Sequence, residues 1–144
     1  MILVTFILIL FSAILSTVQA PPYPVVYIPV SEKIMPYSLV WDATCYIESR
    51  FNPNAIGDLN LKEKSYGIVQ IRRSRLDDYY QQTGIRYSVK DMFDTVKSKE
   101  VFMFYASQIH HSDLERIARQ WNGGERGMQK QATLKYWKLI QARL

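Results

Sequence analysis

A glutamate closes the stretch Cys45-Tyr46-Ile47-Glu48-Ser49. Counting back from Glu48 in helical steps of three and four reaches Cys45 and Thr44, then Trp41 and Val40. The carboxyl therefore lies on the stripe that a helix here would bury. Burial beside apolar groups disfavours the ionised form and raises a carboxyl pKa. An acid kept protonated near neutral pH can protonate a leaving oxygen. Periodicity alone leaves a second reading open, a helix-end glutamate that reaches solvent or accepts from a backbone N–H.

Two further segments carry groups suited to a polar substrate. Ser65-Tyr66-Gly67-Ile68-Val69-Gln70-Ile71 joins small residues and a glutamine inside an apolar run. A glycine there admits close approach of a backbone or ligand, and Gln70 can both donate and accept. Ala118-Arg119-Gln120-Trp121-Asn122-Gly123-Gly124 sets an aromatic ring and an amide at a helix end beside a flexible turn. Stacking on a sugar face and bonding to an N-acetyl group are what Trp121 and Asn122 could supply. Asp58, in Ile56-Gly57-Asp58-Leu59-Asn60, has the setting of a turn residue.

Other constellations are weaker. Cys45 is the single cysteine, which excludes an intrachain disulfide, and it reads as a small core residue. His110 and His111 are adjacent, so on a helix they point about 100° apart and cannot share a metal ion. They read as a helix C-terminal pair. No phosphate loop, G-x-S-x-G or zinc spacing is present, and no metal or cofactor is expected.

These residues need a scaffold. Pro36 suits the first turn of a helix reaching about Arg50. Residues 51–64 read as a loop, with room for a small β-hairpin in the 51–65 region. Ser65 reads as the N-cap of a second helix that continues, with a break, to about Gln82 and is closed by Thr83-Gly84. A third helix fits Asp91 to His110, with Val101, Phe104, Tyr105 and Gln108 on one side. Ser112-Asp113-Leu114-Glu115 has the form of a capping box opening a fourth, to about Asn122. A last amphipathic helix runs from about Gln129 to Ala142. The expected class is mainly α.

The 144-residue chain is long enough for one domain with a core, and its 48% hydrophobic and 22% charged residues are globular proportions. Net charge is +5, which favours polyanionic partners such as an anionic cell wall. The densest basic patch, Arg72-Arg73-x-Arg75, reads as a solvated helix face. Residues 1–20 carry no charge and form a signal peptide or an N-terminal anchor able to hold the chain at a membrane. The segment lacks a basic start, and Pro21 would hinder cleavage after Ala20. Residues 21–35 read as a Pro-rich linker and residues 36–144 as the domain. Export to the periplasm or exterior follows, and it argues against a nucleic-acid partner.

In their order, Glu48-Ser49, then Gly67-Ile68-Val69-Gln70-Ile71, then Gln120-Trp121-Asn122-Gly123-Gly124, then Tyr136, these motifs resemble the lytic transglycosylase (SLT-type) branch of the lysozyme-like superfamily. The resemblance covers about residues 36–141. It implies a lysozyme-like helical domain that cleaves the β-1,4 bond between N-acetylmuramic acid and N-acetylglucosamine in peptidoglycan, leaving 1,6-anhydromuramoyl ends. It makes Glu48 the single general acid/base, with Ser49 as its usual partner and Tyr136 as the tyrosine that contacts its carboxyl, and sets Ser49, Gln70, Trp121, Asn122 and Tyr136 at the substrate; Tyr66, from the second segment, is expected there too. Gly57-Asp58 departs from the pattern and is similar to the Gly-Asp of goose-type lysozymes, which makes a water-using muramidase with Asp58 holding the water the alternative. A second aspartate of those enzymes is replaced by Arg72. The rival of another class is an inactive glycan-binding or assembly module. The expected partner is the glycan strand, and the protein is taken as a monomer.

Overall fold

The computed structural model describes residues 36–144, so the expectations for the signal or anchor segment and for the Pro-rich linker lie outside the described residues. Among the described residues are five α-helices and a small sheet, in the order α1 (Pro36–Ser49), β1 (Ile56–Gly57), β2 (Ser65–Tyr66), β3 (Ile71–Arg72), α2 (Arg73–Thr83), α3 (Thr95–Ser107), α4 (Leu114–Gly123) and α5 (Gln131–Gln141). The fold is mainly α, as the periodicity indicated.

Helix α1 is the central element and packs against α3, α4 and α5. Its buried stripe, Val40, Trp41, Thr44 and Cys45, is the one read from spacing. Trp41 meets Phe102 edge to face at 5.3 Å, and Phe102 meets Trp121 at 4.9 Å, so one aromatic chain joins three helices. The helix stops where Arg50 (φ 57°) and Phe51 (φ 62°) turn left-handed. The Phe51 N–H then reaches back to the Cys45 carbonyl at 3.2 Å, which satisfies an end-of-helix acceptor. Glu48 thus sits in the last turn of a core helix.

The sheet is antiparallel, ordered β1-β2-β3, with Ile56 opposite Tyr66 and Ser65 opposite Arg72. Ser65 does not cap a helix; it is a strand residue, and α2 begins at Arg73. Ser65 and Tyr66 pair across strands, with Gly57 and Ile56 on one side and Arg72 and Ile71 on the other, and helical spacing does not report such partners. Gly67 forces the turn: its φ is +76°, and a Cβ there would lie 1.8 Å from the Met92 carbonyl oxygen.

Elsewhere the boundaries move. The region assigned to one helix over Asp91–His110 is a 3-10 turn, Val89–Phe93, followed by α3, because the Asp94 side chain accepts from Val96 N–H and Lys97 N–H and starts a new helix. Its buried face is Ser98, Val101, Phe102 and Ala106, and Gln108 is exposed. His110 and His111 therefore stand beyond the helix, their rings 4.4 Å apart. Asp113 rather than Ser112 caps α4, accepting from Arg116 N–H at 3.0 Å. On α5 the buried positions are Thr133, Tyr136 and Ile140.

Candidate active site

Glu48 lines a cleft of about 330 Å³ together with Asp58, Ser65, Gln70, Arg72, Arg75, Trp121 and Asn122. Helix α1 supplies the carboxyl, the hairpin one wall and the end of α4 the other. Tyr136, buried on α5, donates from Oη to Glu48 Oε1 at 2.8 Å. The second Glu48 oxygen accepts no hydrogen bond from the described residues. Burial pushes the carboxyl up to about 7, against the partial relief given by the Tyr136 hydroxyl; Asp58 adds to the rise, and Arg72 and Arg75 oppose it. Its place at the negative end of α1 acts in the same direction as burial. The Tyr136 hydroxyl is itself held well above its ordinary value, by burial first and then by the adjacent carboxyl. A carboxyl with a pKa near 7 can both give and take a proton at neutral pH.

Asp58 lines the same cleft, and it is engaged. Arg72 binds its Oδ2 through Nε at 3.1 Å and Nη2 at 2.8 Å. That guanidinium holds the Asp58 carboxyl below its ordinary value, so it is a standing anion.

The remaining predicted residues divide by what their side chains touch. Ser49 Oγ donates to the Ile68 carbonyl at 2.7 Å and so pins the end of α1 to the loop after β2. Gln70 lines the cleft, but its Nε2 donates to Gly67 O at 2.8 Å and Ala55 O at 3.3 Å, and its Oε1 accepts from Ser65 Oγ at 2.7 Å. The amide expected to meet substrate braces the hairpin. That brace also accounts for Gly57, where a Cβ would stand 2.1 Å from Gln70 Oε1 and 2.8 Å from Ser65 Oγ. Tyr66 neighbours the cleft-lining Ser65, but successive strand residues face opposite ways, and its ring packs on Phe93 at 6.2 Å. It is not brought to the cleft. Trp121 is a buried wall with Phe102 on one edge, and Asn122 is exposed at the rim.

Sequence reasoning missed Ser65, Arg72 and Arg75 as cleft residues, and Arg75 is the more enclosed of the two arginines. Its expected solvated face is wrong: the guanidinium donates to the Trp121 carbonyl at 2.8 Å and lies over the Trp121 ring at 4.4 Å. It separates the Glu48 cleft from an adjoining one of about 510 Å³, lining both with Arg72, Trp121 and Asn122. Leu76 and Tyr79, buried on α2, fix the rotation that turns Arg75 inward. Cys45 is buried and its thiol is pushed up to about 12, chiefly by that burial, which makes it an inert core group.

Backbone strain gathers here too. Of the described non-glycine residues with left-handed φ, Arg50 and Phe51 follow Glu48, while Asp58 (φ 54°) and Gln70 (φ 56°) line the cleft. Such conformations persist where surrounding contacts over-determine them, often at working sites.

A family model described as the transglycosylase SLT domain matches residues 36–143. No curated protein matches the chain.

Proposed function

Because the chain belongs to the transglycosylase SLT domain family, we propose that it cleaves the β-1,4 bond between N-acetylmuramic acid and N-acetylglucosamine in peptidoglycan, without water, through Glu48 alone. The observation that carries this reading is the Glu48 carboxyl in an open cleft, raised to about 7 and bonded to Tyr136, while Asp58 is tied to Arg72. Protonated Glu48 gives its proton to the glycosidic oxygen as the bond from muramoyl C1 breaks. The resulting carboxylate takes the proton of the muramoyl 6-hydroxyl, whose oxygen closes on C1. Glu48 ends as it began, protonated, and the products are an anhydro end and a free 4-hydroxyl.

Tyr136 serves both halves, because its O–H stabilises the carboxylate formed midway. Tyr136→Phe removes the contribution that lowers the Glu48 pKa, so that pKa rises. The alkaline limb of the pH–rate profile then moves to higher pH, and the maximal rate falls about tenfold with the loss of one charge-assisted bond. A profile unmoved in position would remove Tyr136 from the mechanism.

The water-using alternative has one observation in its favour, that Asp58 faces the same cleft. Inverting hydrolysis needs the carboxyls about 6.5–9.5 Å apart with water between them. Mass spectrometry of digested peptidoglycan separates the readings: anhydromuramoyl ends are expected, and reducing ends would establish hydrolysis. Asp58→Asn should slow release of fragments by less than about tenfold if no water is activated, and by about 10²-fold or more if Asp58 is a base. An inactive binding module would release no fragments at all. The uncharged segment 1–20 and the charge of +5 support export to an anionic wall, with the protein acting as a monomer on the glycan strand.

A further inference from the structure

We infer that Arg75 is a subsite for a carboxylate carried by the glycan strand, placed where the two clefts meet; the inference rests on the proposed substrate. Of the five N–H donors of a guanidinium, the described residues accept from Nη2 alone, through the Trp121 carbonyl at 2.8 Å. Arg75 forms no ion pair among the described residues, in contrast to the pairs made by Arg72, Arg73, Arg116 and Arg119. The anions bearing on it, Asp78 and Glu48, act through space, and Asp78 itself accepts from Tyr105 Oη at 2.6 Å. The other cations of the joined clefts are engaged: Arg72 by Asp58, and Lys130 by the Gly123 carbonyl at 2.6 Å.

The guanidinium is also held in place. It rests against both Tyr105 and Trp121, their ring centroids 4.8 and 4.4 Å from Cζ and 6.4 Å from each other, and the Trp121 carbonyl accepts from Nη2. Burial depresses the Arg75 pKa, yet a guanidinium stays charged throughout the pH range in which proteins are folded. A half-buried cation that no carboxylate touches is incompletely compensated, and a carboxylate that reaches it removes part of that cost. A planar fork pre-oriented against two rings fits a carboxylate through two parallel N–H bonds. Two carboxylate sources exist on such a strand: the lactyl group of muramic acid, exposed where stem peptides have been removed, and the acidic groups of the stems.

The test uses the full chain and three strands: intact, stripped of stems by an amidase, and stripped strands with their carboxylates converted to amides. Assays at about pH 5.5 keep Glu48 protonated, so a change in its titration does not intrude. The wild-type protein should show KM lower by about 10- to 100-fold on a carboxylate-bearing strand than on the amidated one, the range of a charge-assisted bond. Preference for stripped strands assigns the lactyl carboxylate, and preference for intact strands the stem carboxylates. Arg75→Met should erase that ratio, acting on KM rather than kcat, and Arg75→Lys should restore part of it. The wild-type comparison needs no variant to fold. Equal KM on charged and amidated strands overturns the inference, as does an Arg75→Met loss of equal size on all three. Failure of the wild-type protein to cleave any strand overturns the glycan-cleaving reading with it.

Discussion

Glu48→Gln should reduce glycan cleavage by about 10²- to 10⁴-fold while the protein folds normally, the range that a positioned acid/base contributes. The substitution keeps the shape. A glutamine carbonyl can accept the 2.8 Å bond from Tyr136, while the amide NH2 facing the cleft donates hydrogen bonds but is far too weak an acid to transfer a proton. Stability should move the other way, and its sign depends on pH. The Glu48 pKa rises from 4.5 to about 7 on folding, so its contribution is fully present below about pH 4.5 and is lost as pH rises through about 7. The loss is on the order of 3 kcal/mol. Glu48→Gln lacks this titration. Thermal melts should show the variant more stable than wild type by several degrees at about pH 8, and the gap closing at about pH 4. Other carboxylates titrate in both proteins and cancel in the difference. Wild-type cleavage by Glu48→Gln would end the mechanism proposed here, and a pH-independent gap would end the account of burial.

Gly67→Ala should be the most damaging single methyl group in the molecule. Its φ of +76° is unfavourable for any residue with a Cβ, and that Cβ would stand 1.8 Å from the Met92 carbonyl oxygen, a backbone atom that cannot swing aside. Either the hairpin turn or the 3-10 turn Val89–Phe93 must move. A cost of at least about 3 kcal/mol is expected, since strain and overpacking add. Activity should fall with it, because the turn carries the Ile68 carbonyl that holds Ser49 and the Gly67 carbonyl that holds Gln70. Gly84→Ala is the control: its φ is +74°, but nothing lies within 4 Å of the new Cβ. It should cost about 1 kcal/mol, the conformational term alone. Denaturant unfolding of the two variants measures the difference, and equal midpoints would show that the Met92 contact has no energetic consequence.

What the sequence determined by itself is the set of features that depend on local spacing. The stripe Val40-Trp41-Thr44-Cys45 placed Glu48 against the core, and the structure keeps it there. Helical faces repeat every few residues and follow from neighbours in the chain. The ordered motifs from Glu48 to Tyr136 likewise indicated the family before any distance was known.

Tertiary structure alone decided the rest, because it depends on partners far along the chain. Each strand is two residues long, too short for an alternating pattern, so Ser65 could be mistaken for a helix cap. Gln70 is spent on Ala55 and Ser65, a commitment visible only once β1 and β2 are paired. Asp58 changes from a free acid into half of an ion pair when β3 brings Arg72 beside it. Arg75, in a basic run that looked solvated, turns inward because Trp121, 46 residues later, offers both a carbonyl and a ring face. Spacing can say which side of a helix a charge occupies. Which group meets that charge, and how little water lies around it, is set by the packed fold.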